Sequence, residues 1–433
     1  MKLCEFQNVE DRQDYMLQRI THDPIVIIGA SETAKDFLRK YYKILNIKCV
    51  LTNSANEEEL VLSENIKYSV QPYSKDMISD EDLIIVCRKD IGSWYSDIKK
   101  RLVADGFVCG DNFIIEALAR AIIEKKRIFT VLGYCHGLVI TQIFKHTSAV
   151  NSHLINFYSY LTDIDESSYK YSDIITNIAL SNIVVYVPHF GNMPDHQKCL
   201  PEYAAENAVR FKYPQLSFRG LSPYKSKDLR AGNQYFNMIT SGSGHPPRPF
   251  QYSIPCIDRL IEEGKSNEEI CSIVLDRNFI PEEEIKKNFN IAMRGLEINE
   301  SKSNLKIVDY IKENYQHRLM YRDCLHYEYH MYMEIARRMA QTLSLCDTCE
   351  IDAVEEEIKH EGRNFIGWLN ITEEPILPCV EQALGIEFAD DSYKYSVRLG
   401  DDHTDLMLDR KEWIELYCEC IRAAYVLRKV KII

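Results

Sequence analysis

The chain has 433 residues, of which 45% are hydrophobic and 27% charged, with a formal net charge of -13 at pH 7. That length exceeds the roughly 250–300 residues at which single cores stop growing, which predicts two domains, and the acidic balance argues against a nucleic-acid partner, which needs clustered Lys and Arg. No apolar run nears the roughly 18–20 residues of a transmembrane segment, and the start "MKLCEFQNVEDRQ" lacks a signal-peptide core, so the expectation is a cytoplasmic protein whose 14 irregularly spaced cysteines are reduced thiols.

The first elements read as a small parallel α/β unit over residues 1–125. "PIVIIGASETAKDFLRKYY" runs from an apolar strand through Gly29 into an amphipathic helix, "IKCVLT" and "DLIIVC" add strands, and "SWYSDIKKRLVADG" and "NFIIEALARAIIEKK" add helices. Of a Gly-x-Gly-x-x-Gly dinucleotide fingerprint only Gly29 is present, with Ser31 and Ala34 at the other two places, which favours a packing or partner domain over a nicotinamide site.

After "EKKR" the strand "IFTVLG" opens a second domain, 128–433. "YSDIITNIAL" and "NIVVYVPHFG" read as later strands or strand-helix units. Residues 200–250 are irregular and proline-broken, a composition that often marks functional loops. Helical periodicity returns in "PCIDRLIEEGKSNEEICSIVLDR", "EEEIKKNFNIAMRGLEI", "NLKIVDYIKENY", "RLMYRDCLHYEYHMYMEIARRMAQTL" and "RKEWIELYCECIRAAYVLRK".

Four constellations bear chemistry. In "VLGYCHG" a strand turns into a helix at Cys135, where backbone N–H groups and the positive end of the helix dipole favour a thiolate. Gly133 and Gly137 permit the tight turn, and N–H groups there, with His136, are candidates to hold an oxyanion; a buried cysteine at a structural turn is the plainer alternative. In "YRDCLHYEYH" Asp323 and His326 are three apart at the start of an expected long helix, so that the carboxylate orients the imidazole on one face. His326 and His330 are also four apart, as in helical zinc sites, but Tyr327 replaces the expected glutamate, and no metal is expected. In "FRGLSPYKSKDLRAG" the cations Arg219, Lys225, Lys227 and Arg230 stand against one acid, Asp228; with Arg248 they form a candidate clamp for a phosphorylated cofactor or a solvated basic loop. "PHFGNMPDH" places Asn192 after a strand end, as an oxyanion donor or a turn residue. The pair Cys346 and Cys349 has no partner set at zinc-ribbon spacing.

The strand, the Gly133-Tyr134-Cys135-His136 turn and the later Asp323-Cys324-Leu325-His326 resemble the SGNH or GDSL-like hydrolase layout, with cysteine in the serine position. More specifically, residues 128 to 430 resemble the WcbI family of polysaccharide biosynthesis enzymes. The resemblance is carried by that turn, by "SDIIT", by the spaced Pro214, Leu216, Phe218 and Gly220 with Pro223 following, by His326 before a helix, and by "EPILPCVEQALGIEF". The chain departs from the family pattern at Tyr134 for Asn, Asn177 for Gln and Tyr327 for Pro.

The resemblance implies an SGNH-like three-layer α/β domain with extra helices; residues 1–125 lie outside it and look like the small Rossmann-like domains attached to sugar-modifying enzymes, so that an α/β fold is expected throughout. The resemblance also implies coenzyme A or acyl-coenzyme A as donor, a sugar or capsular polysaccharide precursor as acceptor, and acyl transfer; the candidate roles are then Cys135 as nucleophile with His326 as base and Asp323 as orienter, or His326 activating the sugar hydroxyl directly with Cys135 only lining the pocket. Hydrolysis by the same residues, as a carbohydrate esterase or thioesterase, and a non-catalytic coenzyme A or nucleotide-sugar scaffold remain the alternatives. A homo-oligomer or a biosynthetic partner is left open.

Overall fold

The computed structural model describes residues 2–29, 31–52, 59–87, 93–160, 169–188, 194–224, 250, 254–362, 365, 372–398 and 405–431. It is an α/β protein whose chain divides into two compact units, Met1–Lys212 and Tyr213–Ile433.

The first unit holds two sheets. Its first sheet comprises β1 (Pro24–Ile28), β2 (Asn46–Thr52), β3 (Glu59–Ser63), β4 (Ile66–Pro72), β5 (Leu83–Val86) and β6 (Phe113–Ile115), in the order β3-β4-β2-β1-β5-β6. All neighbours are parallel except β3 and β4. The unbroken apolar run of β1 follows from burial on both faces. Ile25 and Ile27 pack with Phe37 and Leu38 of the helix Glu32–Tyr41, whereas Val26 and Ile28 pack with Ile98 and Leu102 of the helix Ser93–Ala104. Gly29, at φ 119°, ends the strand in a conformation that L side chains avoid.

The second sheet comprises β7 (Arg127–Gly133), β8 (His153–Ser159), β9 (Ile183–Tyr186) and β10 (Val209–Lys212), all parallel, in the order β10-β9-β7-β8. The chain leaves β7 to reach β8 on one side and then returns to β9 on the other. The carboxyl ends of β7 and β9 thus flank a topological switch point, where open α/β sheets bind ligands. "SDIIT" is not a strand start but part of the helix Tyr169–Ala179. Tyr171, Ile174, Ile175 and Ile178 are buried at helical spacing, and this tertiary face overrides the β preference of the isoleucines.

The second unit is mostly helical. Its helices include Pro255–Glu262, Asn267–Val274, Glu282–Ser301, Val308–Asn314, Tyr329–Leu343, Thr348–Glu361, Pro378–Leu384 and Arg410–Lys431, joined by the antiparallel pair β11 (Tyr395–Arg398) and β12 (Asp405–Leu408). The long helix expected from "RLMYRDCLHYEYHMYMEIARRMAQTL" starts only at Tyr329; the residues before it form a hairpin that carries the candidate base. Among the described residues, no helix is long and apolar enough to cross a membrane.

Candidate functional site

In the first unit, β7 delivers Cys135 to the switch point. The strand is held in the sheet by buried Ile128, Phe129, Val131 and Leu132, and the helix Cys135–Lys145 turns Val139, Ile140, Ile143 and Phe144 back onto it, with the Phe129 and Phe144 rings edge to face at 5.8 Å. Tyr134, at φ -92° and ψ -168°, is the extended residue between strand and helix, so Cys135 is the first helical residue. The Gly137 N–H donates to the Tyr134 carbonyl at 2.9 Å, and the Gly133 carbonyl accepts from the Tyr160 N–H at 2.8 Å. Cys135 is partly exposed, whereas Gly133, His136 and Gly137 are buried. A group at Cys135 therefore meets the positive end of an 11-residue helix, which favours negative charge. Asn192, the candidate amide donor after β9, lies outside the described residues.

In the second unit, Asp323 and His326 come together on a hairpin and not on a helix face. Tyr321 and Tyr327 bridge antiparallel, the Arg322 N–H donates to the His326 carbonyl at 2.9 Å, and the Glu328 N–H donates to the Met320 carbonyl at 3.0 Å. At the tip, Asp323 Oδ1 accepts the N–H groups of Leu325 and His326, each at 2.7 Å. An aspartate satisfying the backbone two and three residues ahead stabilises a turn in place of a helix, which is why the expected helix is absent here. The same carboxylate holds the imidazole: His326 Nδ1 lies 2.8 Å from Oδ2 and 3.0 Å from Oδ1.

Both residues are buried, at 5% and 8% exposure. Burial pushes the Asp323 carboxyl up, but the charge of His326 and the hydrogen bonds from its ring and from the two N–H groups outweigh it and hold the carboxyl below its ordinary range. Asp323 therefore stays ionised beside Nδ1, an arrangement that favours a proton on that nitrogen and makes Nε2 the candidate atom for acid-base work.

The rival zinc pair dissolves in the structure. His330 is a buried core histidine whose Nε2–H donates to the Leu319 carbonyl at 2.7 Å and whose Nδ1 accepts from the Tyr310 hydroxyl at 3.2 Å. Among the described residues, no group of three His, Cys, Asp or Glu side chains is placed to hold a metal ion.

The segment containing Pro214, Leu216, Phe218 and Gly220 lies against this hairpin. The Phe218 N–H donates to the Cys324 carbonyl at 3.0 Å, and the Leu216 N–H donates to the Tyr327 hydroxyl at 3.1 Å. Leu216 and Phe218 point inward, so Arg219 emerges partly exposed one residue beyond the contact with Cys324. Gly220 is required by close approach: a Cβ there would collide with the Phe218 ring. Arg219 thus follows directly on the residue that bonds the Asp323–His326 hairpin, while Lys225, Lys227, Arg230 and Arg248 lie outside the described residues. Sequence reasoning missed Tyr327, which stands where the family pattern has proline and uses its hydroxyl to fasten the segment. It also missed Arg322, buried immediately before Asp323; its position beside the Asp-x-x-His spacing was the only signal.

Comparison with known proteins adds three findings. A solved structure of WcbI, described as a novel polysaccharide biosynthesis enzyme in its native form without a disulfide bond between coenzyme A and one of its cysteines, matches with a TM-score of 0.50 and 12% identity over 69% of this chain and 90% of that chain. At that identity the likeness is one of fold. No curated protein matches the chain. The sequence profile of the polysaccharide biosynthesis enzyme WcbI matches residues 130–348, a span that contains the Cys135 turn, the Phe218 segment and the Asp323–His326 hairpin. With a little over half of its length matched in this way, the chain belongs to the WcbI family of polysaccharide biosynthesis enzymes.

Proposed function

We propose that the protein transfers an acyl group, acetyl in the simplest case, from acyl-coenzyme A to a hydroxyl of a sugar or capsular polysaccharide precursor. The observation that carries this reading is the buried Asp323–His326 pair, an imidazole held in one tautomer by an ionised carboxylate. His326 Nε2 takes the proton of the acceptor hydroxyl as its oxygen attacks the thioester carbonyl. The tetrahedral intermediate then collapses, the carbon–sulfur bond breaks, and the departing coenzyme A thiolate receives that proton.

Coenzyme A as donor is supported by family membership and by the relative described in connection with coenzyme A. Arg219, with Lys225, Lys227, Arg230 and Arg248, is the proposed set of phosphate-binding cations. Cys135 lines the donor's thioester end. In a covalent form of the reaction, favoured by its place at a helix N-terminus on the switch point, Cys135 Sγ first displaces coenzyme A, and the sugar hydroxyl then attacks the acyl-cysteine. Backbone N–H groups about Gly133, His136 and Gly137 are the proposed oxyanion donors, with Asn192 from the loop after β9. The second sheet is read as the SGNH-like core and the first as a Rossmann-like accessory of uncertain ligand. A cytoplasmic location follows from an acyl-coenzyme A donor.

Incubation of the full-length protein with acetyl-coenzyme A, with and without nucleotide-sugar and oligosaccharide acceptors, tests this reading by mass spectrometry. Acetylated acceptor and free coenzyme A are expected in equal amounts and only when acceptor is present. An acetyl adduct lost in Cys135→Ala selects the covalent form. Free acetate without acceptor would replace transfer by hydrolysis, and turnover unaffected by His326→Ala would remove the catalytic reading in favour of a binding scaffold.

A further inference from the structure

Behind the hairpin lies a charged cluster that the reaction does not use. The Arg322 side chain is 1% exposed, and its Nη1 lies 3.2 Å from Glu328 Oε2 and 3.3 Å from Glu373 Oε1. Both carboxylates are buried as well. Taking three charges out of water is costly, and apolar residues of similar volume would serve a core as well or better, so stability alone does not account for the cluster. What an apolar core lacks is direction: a planar guanidinium bonded to two acids admits one arrangement.

The connections of each member show what that arrangement fixes. The Arg322 N–H holds the His326 carbonyl, and the Arg322 carbonyl accepts the Glu374 N–H at 2.7 Å. The Glu328 N–H closes the base of the hairpin on Met320, and Glu328 is also the residue that opens the helix Tyr329–Leu343. Glu373 is fixed in turn, since its N–H donates to the Ser396 carbonyl at 2.8 Å, its Oε2 accepts the Ser396 N–H at 3.1 Å, and its carbonyl accepts the Trp413 indole N–H at 2.8 Å. The backbone on both sides of the Asp323–His326 turn is therefore tied through one guanidinium to a helix, to β11 and to the helix Arg410–Lys431.

We propose that Arg322, Glu328 and Glu373 are positioning residues that set the orientation of the His326 ring through the backbone of its hairpin. This rests on the reading of His326 as the base. Arg322→Lys keeps the charge but loses the planar fork, and Glu373→Gln keeps the shape but loses the charge.

The test is nitrogen NMR of the histidine rings in the full-length protein, with the His326 signal assigned by its loss in His326→Gln, together with steady-state kinetics. In the wild type the ring is expected in a single tautomer protonated at Nδ1. In folded Arg322→Lys the signal is expected to move toward tautomer averaging, with kcat reduced roughly tenfold to a hundredfold and KM for acetyl-coenzyme A little changed, as a displaced catalytic group predicts. Should Arg322→Lys not fold, Glu373→Gln, a near-isosteric change, decides by the same readings. A folded variant whose His326 signal matches the wild type would overturn the proposal. A shifted ring signal in a protein that transfers no acyl group would uphold the positioning role while removing the acyltransferase reading, so the two failures are distinguishable.

Discussion

His326 owes its chemistry to one neighbour three residues away. Because Asp323 binds the ring and two backbone N–H groups with the same carboxylate, the residue that orients the proposed base also builds the turn on which it sits. His326→Ala is expected to lower kcat for acetyl transfer by about 10²–10⁴, the usual contribution of a positioned acid-base group, with the fold retained. Asp323→Asn keeps an acceptor for the two N–H groups but offers no charge to the ring, so kcat should fall while thermal stability drops modestly with the loss of the ionised carboxylate. Near-wild-type rates from either variant would transfer the acid-base role to another group. The spacing of these two residues was readable in the sequence, but their geometry was not. A helix face and an aspartate-led turn both bring residues i and i+3 together, and only the partners of the Asp323 oxygens separate the two. The same holds for His330, whose four-residue spacing from His326 suits a metal pair until Leu319 and Tyr310 are seen to occupy its nitrogens.

Elements were readable where one short run of residues decides them. The runs "PIVII" and "IFTVLG" have room for nothing but buried strands, and the turn at Cys135 follows from an apolar strand meeting a glycine-flanked helix start. The hairpin of β3 and β4 was not anticipated, because "ELVLS" with its alternating burial is short and its strand partner is itself polar on one face. The segment around Phe218 was noticed as a motif, but its purpose is tertiary: it is a strap across the Asp323–His326 hairpin. Gly220 allows it, since the Phe218 ring lies where a Cβ would be, in contact with Tyr321 at 5.2 Å and Phe289 at 5.6 Å. Gly220→Ala should therefore push the ring out of place and destabilise the protein by about 1–3 kcal/mol, the usual range for overpacking. A lowered urea midpoint measures this, and an unchanged midpoint would show that the ring has another place to go.

At the scale of the whole molecule, acid sensitivity should begin with histidines and not with carboxylates. Burial holds His330, in the second unit, below the ordinary imidazole value of 6.5, and burial followed by the charge of Arg127 does the same to His153 in the first. The Nε2 of His153 is buried without a hydrogen-bond partner among the described residues, so that nitrogen adds nothing to offset the lost water when the ring is charged, and burial outweighs the hydrogen bond with the Ala149 backbone. A folded-state pKa below the unfolded one means that the unfolded chain binds more protons as the pH falls. The corresponding stability is complete above about pH 6.5 and is lost as the pH drops through the depressed folded values. Asp323 and Glu124, the latter held at about 2 by Lys40 and Tyr41 against the effect of burial, give up their contributions only at much lower pH. The urea midpoint should thus be flat from about pH 8 to 7 and fall as the pH drops below about 6.5. A midpoint that rises as the pH drops there would contradict the burial of the two rings as neutral species.

The sequence by itself determined the α/β class, the strand-to-helix turn at Cys135, the Asp323 and His326 pairing and the motif order that marks the WcbI family. All but the last depend on residues close together in the chain, where periodicity and turn chemistry act, and the last is an order of short local motifs along it. Only the tertiary structure decided that β7 stands at a switch point, that His330 is a core histidine, and that Phe218 needs Gly220. It alone brought Arg322 to Glu373. Strand order and the partners of buried side chains are settled by contacts between segments distant in sequence, and a local pattern carries no record of which distant segment will supply them.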